Sequence, residues 1–351
     1  MVNPLKGRDI LTTSDWTKKE LDKVLDLAFK FKKMGDNARC LDILKGKSVM
    51  LLWFAGSTRT WNSFVLAVQQ LGGYIRSREA KDMRLRLGKP KTGSEESLKD
   101  TAMVLDRYVD ALGIRLMELT PEEVGRTPRW GDAHGVLRKF ADYMEAPIIN
   151  MNDDIAHPTQ SMGDIMVMHE KLGGDVRGKK AVLMWAYSPR ANQPASGQGH
   201  ALIAATYGMN VTVIHPEGYD LNSSVMSVAQ KECAKNGMKF EISHNPKEAL
   251  EGADTVYPRI WQTSQYYENG KEEEQRLAAR YKDWRLTESL MKITNNAHFM
   301  HTMPFCRGFE VDASVADGPN SIIYDQAEDL LYVRKAFLSL LMADEDQLKK
   351  I

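Results

Sequence analysis

A chain of 351 residues is too long for one compact core and predicts two domains, and 43% hydrophobic with 27% charged residues is the composition of a soluble globular protein. Lys plus Arg (47) balance Asp plus Glu (47), which excludes a global basic field for nucleic acid or an acidic membrane and makes any anion site local. Cys40, Cys233 and Cys306 lie far apart with no CxxC spacing, so a reducing compartment is expected, with neither a disulfide framework nor a zinc site. The N-terminal stretch lacks an apolar signal core, and no run approaches the ~18 apolar residues of a membrane helix, so the expected location is cytoplasmic.

In chain order, Ser14 or Asp15 is read as the cap of a helix reaching about Lys33, with Leu21, Val24, Leu25, Leu27, Ala28 and Phe31 mainly on one face. Leu44-Lys45-Gly46-Lys47 leads into a buried strand, Val49–Phe54. The phrase returns as Val176-Arg177-Gly178-Lys179 before strand 181–186, which predicts two α/β domains that begin alike. After the first strand comes Ala55-Gly56, then Ser57-Thr58-Arg59-Thr60, then a helix carrying Phe64, Val65, Val68 and Leu71. Strand, polar turn, helix is the geometry that aims backbone N–H groups, hydroxyls and a guanidinium at an anion. Residues 76–93 are basic and read as a loop. Ser94 opens a helix through a Ser94–Ser97 box, Val109–Ile114 is an apolar run ending at Arg115, a helix lies near 134–144, and Pro147–Asn150 is a strand.

From Asp154 a helix runs to Lys171 around the polar corner His157-Pro158-Thr159-Gln160. The second half alternates strands 181–186, 210–214, 238–242 and 254–257 with helices near 199–208, 222–236 and 246–251. Such alternation predicts a doubly wound parallel sheet, closing with a strand Ile322–Tyr324 and a long helix Gln326–Met342. The domain division expected is 1–153 with the terminal helix 326–351 packing back on it, and 154–325. Four polar corners follow apolar runs: Ser57–Thr60, Arg115, His157–Gln160 and His301–Pro304. Together they supply a phosphate cradle, a second guanidinium, imidazoles and a carboxamide, which suits a substrate with a phosphoryl group and a carbonyl to be polarised.

Ser57-Thr58-Arg59-Thr60 followed by Ser63-Phe64 resembles the STRTR-x-SF signature of the aspartate/ornithine carbamoyltransferases. Asp100-Thr101, Leu105, Tyr108 and Asp110 are similar to their DT-R-VL-R-YxD helix, His157–Gln160 is their HPTQ, and His301-Thr302-Met303-Pro304 looks like their HCLP. Trp185–Pro189, His215–Leu221 and Val256-Tyr257-Pro258 look closest to the knotted YgeW-like carbamoyltransferases of unassigned substrate, with the knot in loop 187–199. The resemblance implies two doubly wound α/β domains, the first binding carbamoyl phosphate and the second an amino or ureido acid. It implies no metal or organic cofactor, no nucleic acid or membrane partner, and a homotrimer with shared sites, the basic loop with Lys81, Lys89 and Lys91 being the candidate contribution to a neighbour. By the same resemblance Ser57, Thr58, Arg59 and Thr60 hold phosphate, and Arg115 reaches phosphate and carbonyl. His157 donates to the carbonyl oxygen, Gln160 orients the carbamoyl NH2, and Met303 offers its backbone carbonyl ahead of a proline that is often cis.

Three positions depart from the pattern: Trp61 for the second Arg of STRTR, Thr302 for the Cys of HCLP, and Leu330 for the Arg of AENR. For the acceptor, Arg190 and Arg259 suit a carboxylate, and Trp185, Tyr187, Tyr257 and Trp261 are read as core aromatics or as walls at strand ends. The branch suggests running toward phosphorolysis, with carbamoyl phosphate as product. A catalytically silent homologue with a regulatory role is the alternative the three departures keep open. A nucleotide-binding dehydrogenase is disfavoured because no GxGxxG follows the first strand of either domain.

Overall fold

The two apolar runs that share an entry phrase become inner strands of two parallel sheets. The computed structural model describes residues 3–190, 192–349 and 351. They divide into two compact units, residues 1–162 with 328–351, and residues 163–327. The division falls inside the helix Pro158–Lys171.

In the first unit α1 (Lys18–Met34) buries Leu21, Val24, Leu25, Ala28 and Phe31. Its cap is Thr17, not Ser14 or Asp15: Glu20 N donates to Thr17 Oγ1 at 3.3 Å and Thr17 N to Glu20 Oε2 at 2.7 Å, a reciprocal box that needs Glu three residues after the cap. Strands β1 (Ser48–Trp53) and β2 (Tyr74–Glu79) flank α2 (Thr58–Gln70). The stretch read as a loop from residue 76 is therefore partly an edge strand, hidden from pattern reading because its side chains are mostly exposed. Two short strands, β3 (Leu85–Arg86) and β4 (Glu96–Ser97), pair with each other before α3 (Leu98–Leu105), whose cap is Ser97, accepting from Asp100 N at 3.1 Å, rather than Ser94. β5 (Ala111–Arg115), the short α4 (Pro121–Val124), α5 (Asp132–Tyr143), β6 (Ile148–Asn152) and α6 (Pro158–Lys171) follow. The sheet order is β2-β1-β5-β6. Gly113 in β5 lets Leu51 and Met151 close over the strand, since a Cβ there would lie 2.9 Å from Leu51 Cδ2 and 3.0 Å from Met151 Sδ.

In the second unit β7 (Lys180–Trp185), α7 (Ala195–Thr206), β8 (Asn210–Ile214), α8 (Ser223–Asn236), β9 (Phe240–Ser243), β10 (Thr255–Arg259) and β11 (His298–Phe299) form a parallel sheet in the order β11-β10-β7-β8-β9. Every residue of α7 through Ala205 is buried, so it shows no amphipathic stripe. Loop 187–199, expected to carry a knot, contains residue 191, which lies outside the described residues; its later part is the start of α7. The expected strand 322–324 is instead the beginning of the terminal helix Ile323–Met342, which has Asp325 in its first turn. From residue 328 that helix belongs to the first unit, where Phe337 meets Trp16 edge-on at 5.6 Å and Lys335 Nζ donates to Ala38 O at 2.6 Å. Among the described residues no helix is long and apolar enough to cross a membrane.

The loop between β6 and α6 is held by buried polar groups. Asn150 Nδ2 donates to Leu11 O (2.7 Å), Asp153 Oδ2 (2.9 Å) and Ala156 O (3.2 Å), and Asp153 Oδ1 accepts from Ile155 N and Ala156 N. Asp154 accepts from Gly131 N (2.7 Å) and His134 N (3.0 Å) at the start of α5, yet burial, and then the charge of Asp153, push its pKa up to about 7. Burial disfavours the His134 imidazolium, but the 2.6 Å bond from Nδ1 to Asp153 outweighs it and holds that pKa above 6.5. Both folded values exceed the unfolded ones, so both groups bind protons more tightly when folded, and their contribution is full at low pH and lost as pH rises. For Asp154 that window runs from about pH 4 to about pH 7, and for His134 it lies above about pH 6.5. Asp154→Asn should therefore shrink the fall in Tm between about pH 4.5 and about pH 7.5. Parallel melting curves of variant and parent, superimposable in slope, would refute this.

Candidate active site

The strands of the first unit end side by side. Trp53 is in register with Arg115 and Arg115 with Asn152, while Phe54 N donates to Arg115 O at 2.9 Å and Leu116 N to Asn152 O at 3.1 Å. The loop after β1, the end of β5 and the loop after β6 thus leave the same edge of one sheet, the carboxyl edge where α/β proteins place ligands.

At the first strand end Ser57 caps α2, its hydroxyl accepting from Thr60 N at 3.3 Å. Thr58 and Arg59 occupy the first turn, where helix geometry supplies no carbonyl for the backbone N–H groups. Thr58 is exposed, Arg59 half-buried and Thr60 buried. At the second strand end Arg115 is 9% exposed, with Nη1 donating at 3.2 Å to Met151 O and, in the amide orientation its neighbours dictate, to Asn152 Oδ1. At the third, His157 and Gln160 are buried, and the His157 carbonyl accepts from Gln160 N and Ser161 N at 3.0 Å, starting α6. A guanidinium, a helix N-terminus, an imidazole and a carboxamide therefore stand along one sheet edge.

Trp61 explains its own departure from the family pattern. It is 44% exposed, one turn into α2, and its Nε1–H donates to Ser77 Oγ at 2.9 Å, the same hydroxyl that accepts from Trp53 Nε1 at 2.8 Å. The two indoles wall a cleft of about 700 Å³ shared with Ser57, Thr58, Ser77 and Arg78. Sequence reading passed over Ser77 because it falls in the stretch taken for a loop. Lys81, Lys89 and Lys91 are exposed, and Lys81 pairs with Glu79 at 2.5 Å. Leu330 is buried at the position of the family's Arg, and one turn on the same helix carries a buried Arg334.

The second unit builds a different kind of site. Arg259, at the end of β10, is 8% exposed and donates from Nη1 to Thr302 Oγ1 at 2.9 Å. A threonine accepts that bond better than a thiol, which accounts for residue 302. His301 Nε2 meets Glu310 Oε2 at 3.1 Å and its Nδ1 accepts from Met303 N at 2.8 Å, which fixes the neutral tautomer with the proton on Nε2. Burial alone would raise the Glu310 pKa, but the bond from His301 and the charge of Arg259 hold it below 4.5. His301 N donates to Gln326 Oε1 (2.9 Å), Gln326 Nε2 to Asp164 Oδ1 (2.7 Å), and Asp164 meets His200 Nδ1 (3.1 Å). The His200 ring stacks on Tyr257 at 4.4 Å, and Tyr257 on His301 at 5.9 Å. The Met303–Pro304 peptide is cis, and Met303 has a φ of 53°.

Gln326, Asp164 and Glu310 carry this loop and were missed in the sequence, where each reads as an ordinary polar residue. Trp261 lies in the core, wholly buried, its Nε1–H donated to Tyr219 O at 2.8 Å while its own carbonyl accepts from Trp185 Nε1 at 2.9 Å. Arg190 is exposed on the loop after β7. Among the described residues no group of three or more His, Cys, Asp or Glu is placed to hold a metal ion.

With sheet edge, helix-capping cradle and buried imidazole loop in view, the class follows from comparison. The profile described as "Aspartate/ornithine carbamoyltransferase, carbamoyl-P binding domain" matches residues 8–170, and its "Asp/Orn binding domain" counterpart matches residues 197–341. The chain belongs to the aspartate/ornithine carbamoyltransferases and is a carbamoyltransferase. It is similar to the N-acetylornithine carbamoyltransferase of Xanthomonas campestris pv. campestris, 36% identical over 344 residues, 95% of this chain and 98% of that one. The ornithine carbamoyltransferase of Pyrococcus horikoshii is 34% identical over 348 residues, 97% of this chain and 98% of the other. A crystal structure of acetylornithine transcarbamylase complexed with acetylcitrulline superposes with a TM-score of 0.87 at 33% identity, covering 96% of this chain and 99% of that one.

Replacing Gln326 by Leu leaves the His301 N–H and an Asp164 oxygen without these bonds inside the second unit. Unfolding in urea should show a loss of roughly 2–6 kcal/mol, at about 1–3 for each of the two orphaned groups. A loss under about 1 kcal/mol would show that water or a rearranged side chain replaces the amide.

Proposed function

We propose that this protein transfers the carbamoyl group of carbamoyl phosphate to the amine of an amino acid, with N-acetylornithine and ornithine the first acceptors to test, as the names of its relatives suggest. The supporting observation is the in-register set of strand ends that sets the Ser57–Thr60 helix cap, Arg115 and His157 along one edge. On this reading Ser57, Thr58, Arg59 and Thr60 hold the phosphate through hydroxyls, first-turn N–H groups and a guanidinium. Arg115 and His157 donate to the carbamoyl oxygen as the amine nitrogen attacks its carbon and the oxygen gains negative charge. The C–O bond to phosphate then breaks, phosphate leaves with the electron pair, and the amine's proton passes to the departing phosphate. Gln160 orients the carbamoyl NH2. His301, Thr302, Met303 and Pro304 with Arg259 are assigned to the acceptor, Arg259 suiting its carboxylate and Arg190 a more peripheral negative group.

The indole-walled cleft beside Ser57 and Thr58 supports an acceptor or neighbour different from that of enzymes with Arg at residue 61. Edge strand β2, exposed at every position but Ile75, together with exposed Trp61, Tyr74 and Tyr108, supports assembly into a homotrimer. Because the reaction is reversible, a ureido acid with phosphate provides the assay in the phosphorolytic direction.

Calorimetry with carbamoyl phosphate or a phosphonoacetyl analogue should show binding that Arg59→Ala removes. Arg115→Ala and His157→Ala should each lower kcat by about a hundred- to a thousand-fold with the fold intact by circular dichroism. No heat on titration, and no turnover with any amino or ureido acid, would instead identify a catalytically silent homologue.

A further inference from the structure

Two indoles converge on one hydroxyl in the first unit. Leu51 of β1 is in register with Ser77 of β2, so Trp53, two residues farther along β1, shares a sheet face with Ser77. Trp61 comes one turn into α2, the helix that connects these two strands. Trp53 Nε1 donates to Ser77 Oγ at 2.8 Å and Trp61 Nε1 donates to the same atom at 2.9 Å. An indole N–H can only donate, and a hydroxyl has two lone pairs and one proton. Both lone pairs of Ser77 are therefore engaged, and a group that ordinarily serves in either sense is left with its proton alone. None of the described residues accepts that proton, although Glu79 and Asp82 line the same cleft. Glu79 pairs instead with Lys81 at 2.5 Å.

Joining α2 to β2 does not by itself require this arrangement. Ser77 and Trp61 are both exposed, so water could serve the Trp61 N–H as well as a side chain does. Two donors on one oxygen do something water does not: they fix the sense of the remaining bond. They also polarise the O–H, because hydrogen bonds in a chain strengthen one another. Ser77 lines the cleft of about 700 Å³ together with Ser57 and Thr58, the start of the helix cap.

We propose that Ser77 is a specificity-determining residue of the anion site, donating its proton to a phosphoryl oxygen of the ligand, and that Trp61 is a positioning residue acting through it. This rests on the reading of Ser57–Thr60 as a phosphate cradle. A phosphate dianion offers acceptors only, and the first-turn N–H groups of α2 and the Ser77 hydroxyl offer donors only. A carbamoyl NH2, which donates, finds no lone pair at Ser77, so this contact fixes which end of carbamoyl phosphate faces β2. Residue 61, an Arg in the family pattern, here acts on the ligand through a neighbouring hydroxyl.

The test uses the full chain and two probes, inorganic phosphate and phosphonoacetamide, which joins a phosphoryl group to a carbamoyl group. Calorimetric Kd and melting temperature are measured for the parent, Ser77→Ala, Ser77→Thr, Trp61→Phe and the Ser77→Ala, Trp61→Phe double variant. Ser77→Ala should bind both probes about tenfold or more weakly, the effect of losing a hydrogen bond to a charged group, and Ser77→Thr should restore most of the affinity. Trp61→Phe, which frees one lone pair, should weaken both probes by about threefold or more, and should add no further loss in the double variant. Affinity within about twofold of the parent in Ser77→Ala, whatever its melting temperature, makes Ser77 a structural link and overturns the proposal. A loss confined to phosphonoacetamide puts the contact on the carbamoyl group and overturns it as well. Additive losses in the double variant overturn the positioning role of Trp61. If Ser77→Ala does not fold, Ser77→Cys, whose thiol donates weakly, takes its place with the same two outcomes. A parent that binds neither probe overturns the cradle reading itself, and with it the role of Ser77.

Discussion

The register of three parallel strands is the constraint on which the site of this carbamoyltransferase depends. Trp53, Arg115 and Asn152 stand side by side because β1, β5 and β6 run in the same direction and pair without offset until their last residues. In an antiparallel sheet the same corners would leave opposite edges. The shift in register between Ile114 and Arg115 comes at the end of β5, where the side chain must turn toward the Met151 carbonyl and Asn152. Bulky apolar residues on both faces of these strands hold the register, and Gly113 gives the room in which Leu51 and Met151 meet.

The two units place their buried polar groups differently. In the first, guanidinium groups gather at one strand edge and under one helix start. In the second, a comparable number of buried charges is closed on itself: Glu310 with His301, Asp164 with His200 and Gln326. Burial raises the cost of every one of these groups, and the second unit supplies partners for them from within itself.

The departures from the family pattern have local physical explanations. Trp61 shares a hydroxyl acceptor with Trp53, Thr302 accepts from Arg259, and the guanidinium absent at Leu330 has a counterpart one helical turn later. The polar atoms of Trp61 and Thr302 have found partners of their own, so those two neighbourhoods are rebuilt rather than emptied.

The amino-acid sequence by itself determined the alternation of strands and helices, the repeated entry phrase of two α/β units, and the polar corners at residues 57–60, 115, 157–160 and 301–304. These are local properties: apolar runs, cap chemistry and short motifs are written within a few residues of each other. Where sequence reading went astray the signal was weak for a local reason. β2 has exposed side chains on both faces, Ser97 and Thr17 compete with neighbouring polar residues as caps, and Ile322 and Ile323, at the opening of helix Ile323–Met342, are β-branched and read as strand. Only the tertiary structure decided that Ser77 joins two tryptophans, that Gln326 bridges His301 and Asp164, that Trp261 is core, and that Arg334 lies beneath Arg59. Those pairings span from 16 to 275 residues of chain, and hydrogen-bond geometry across such separations is set by how whole elements pack.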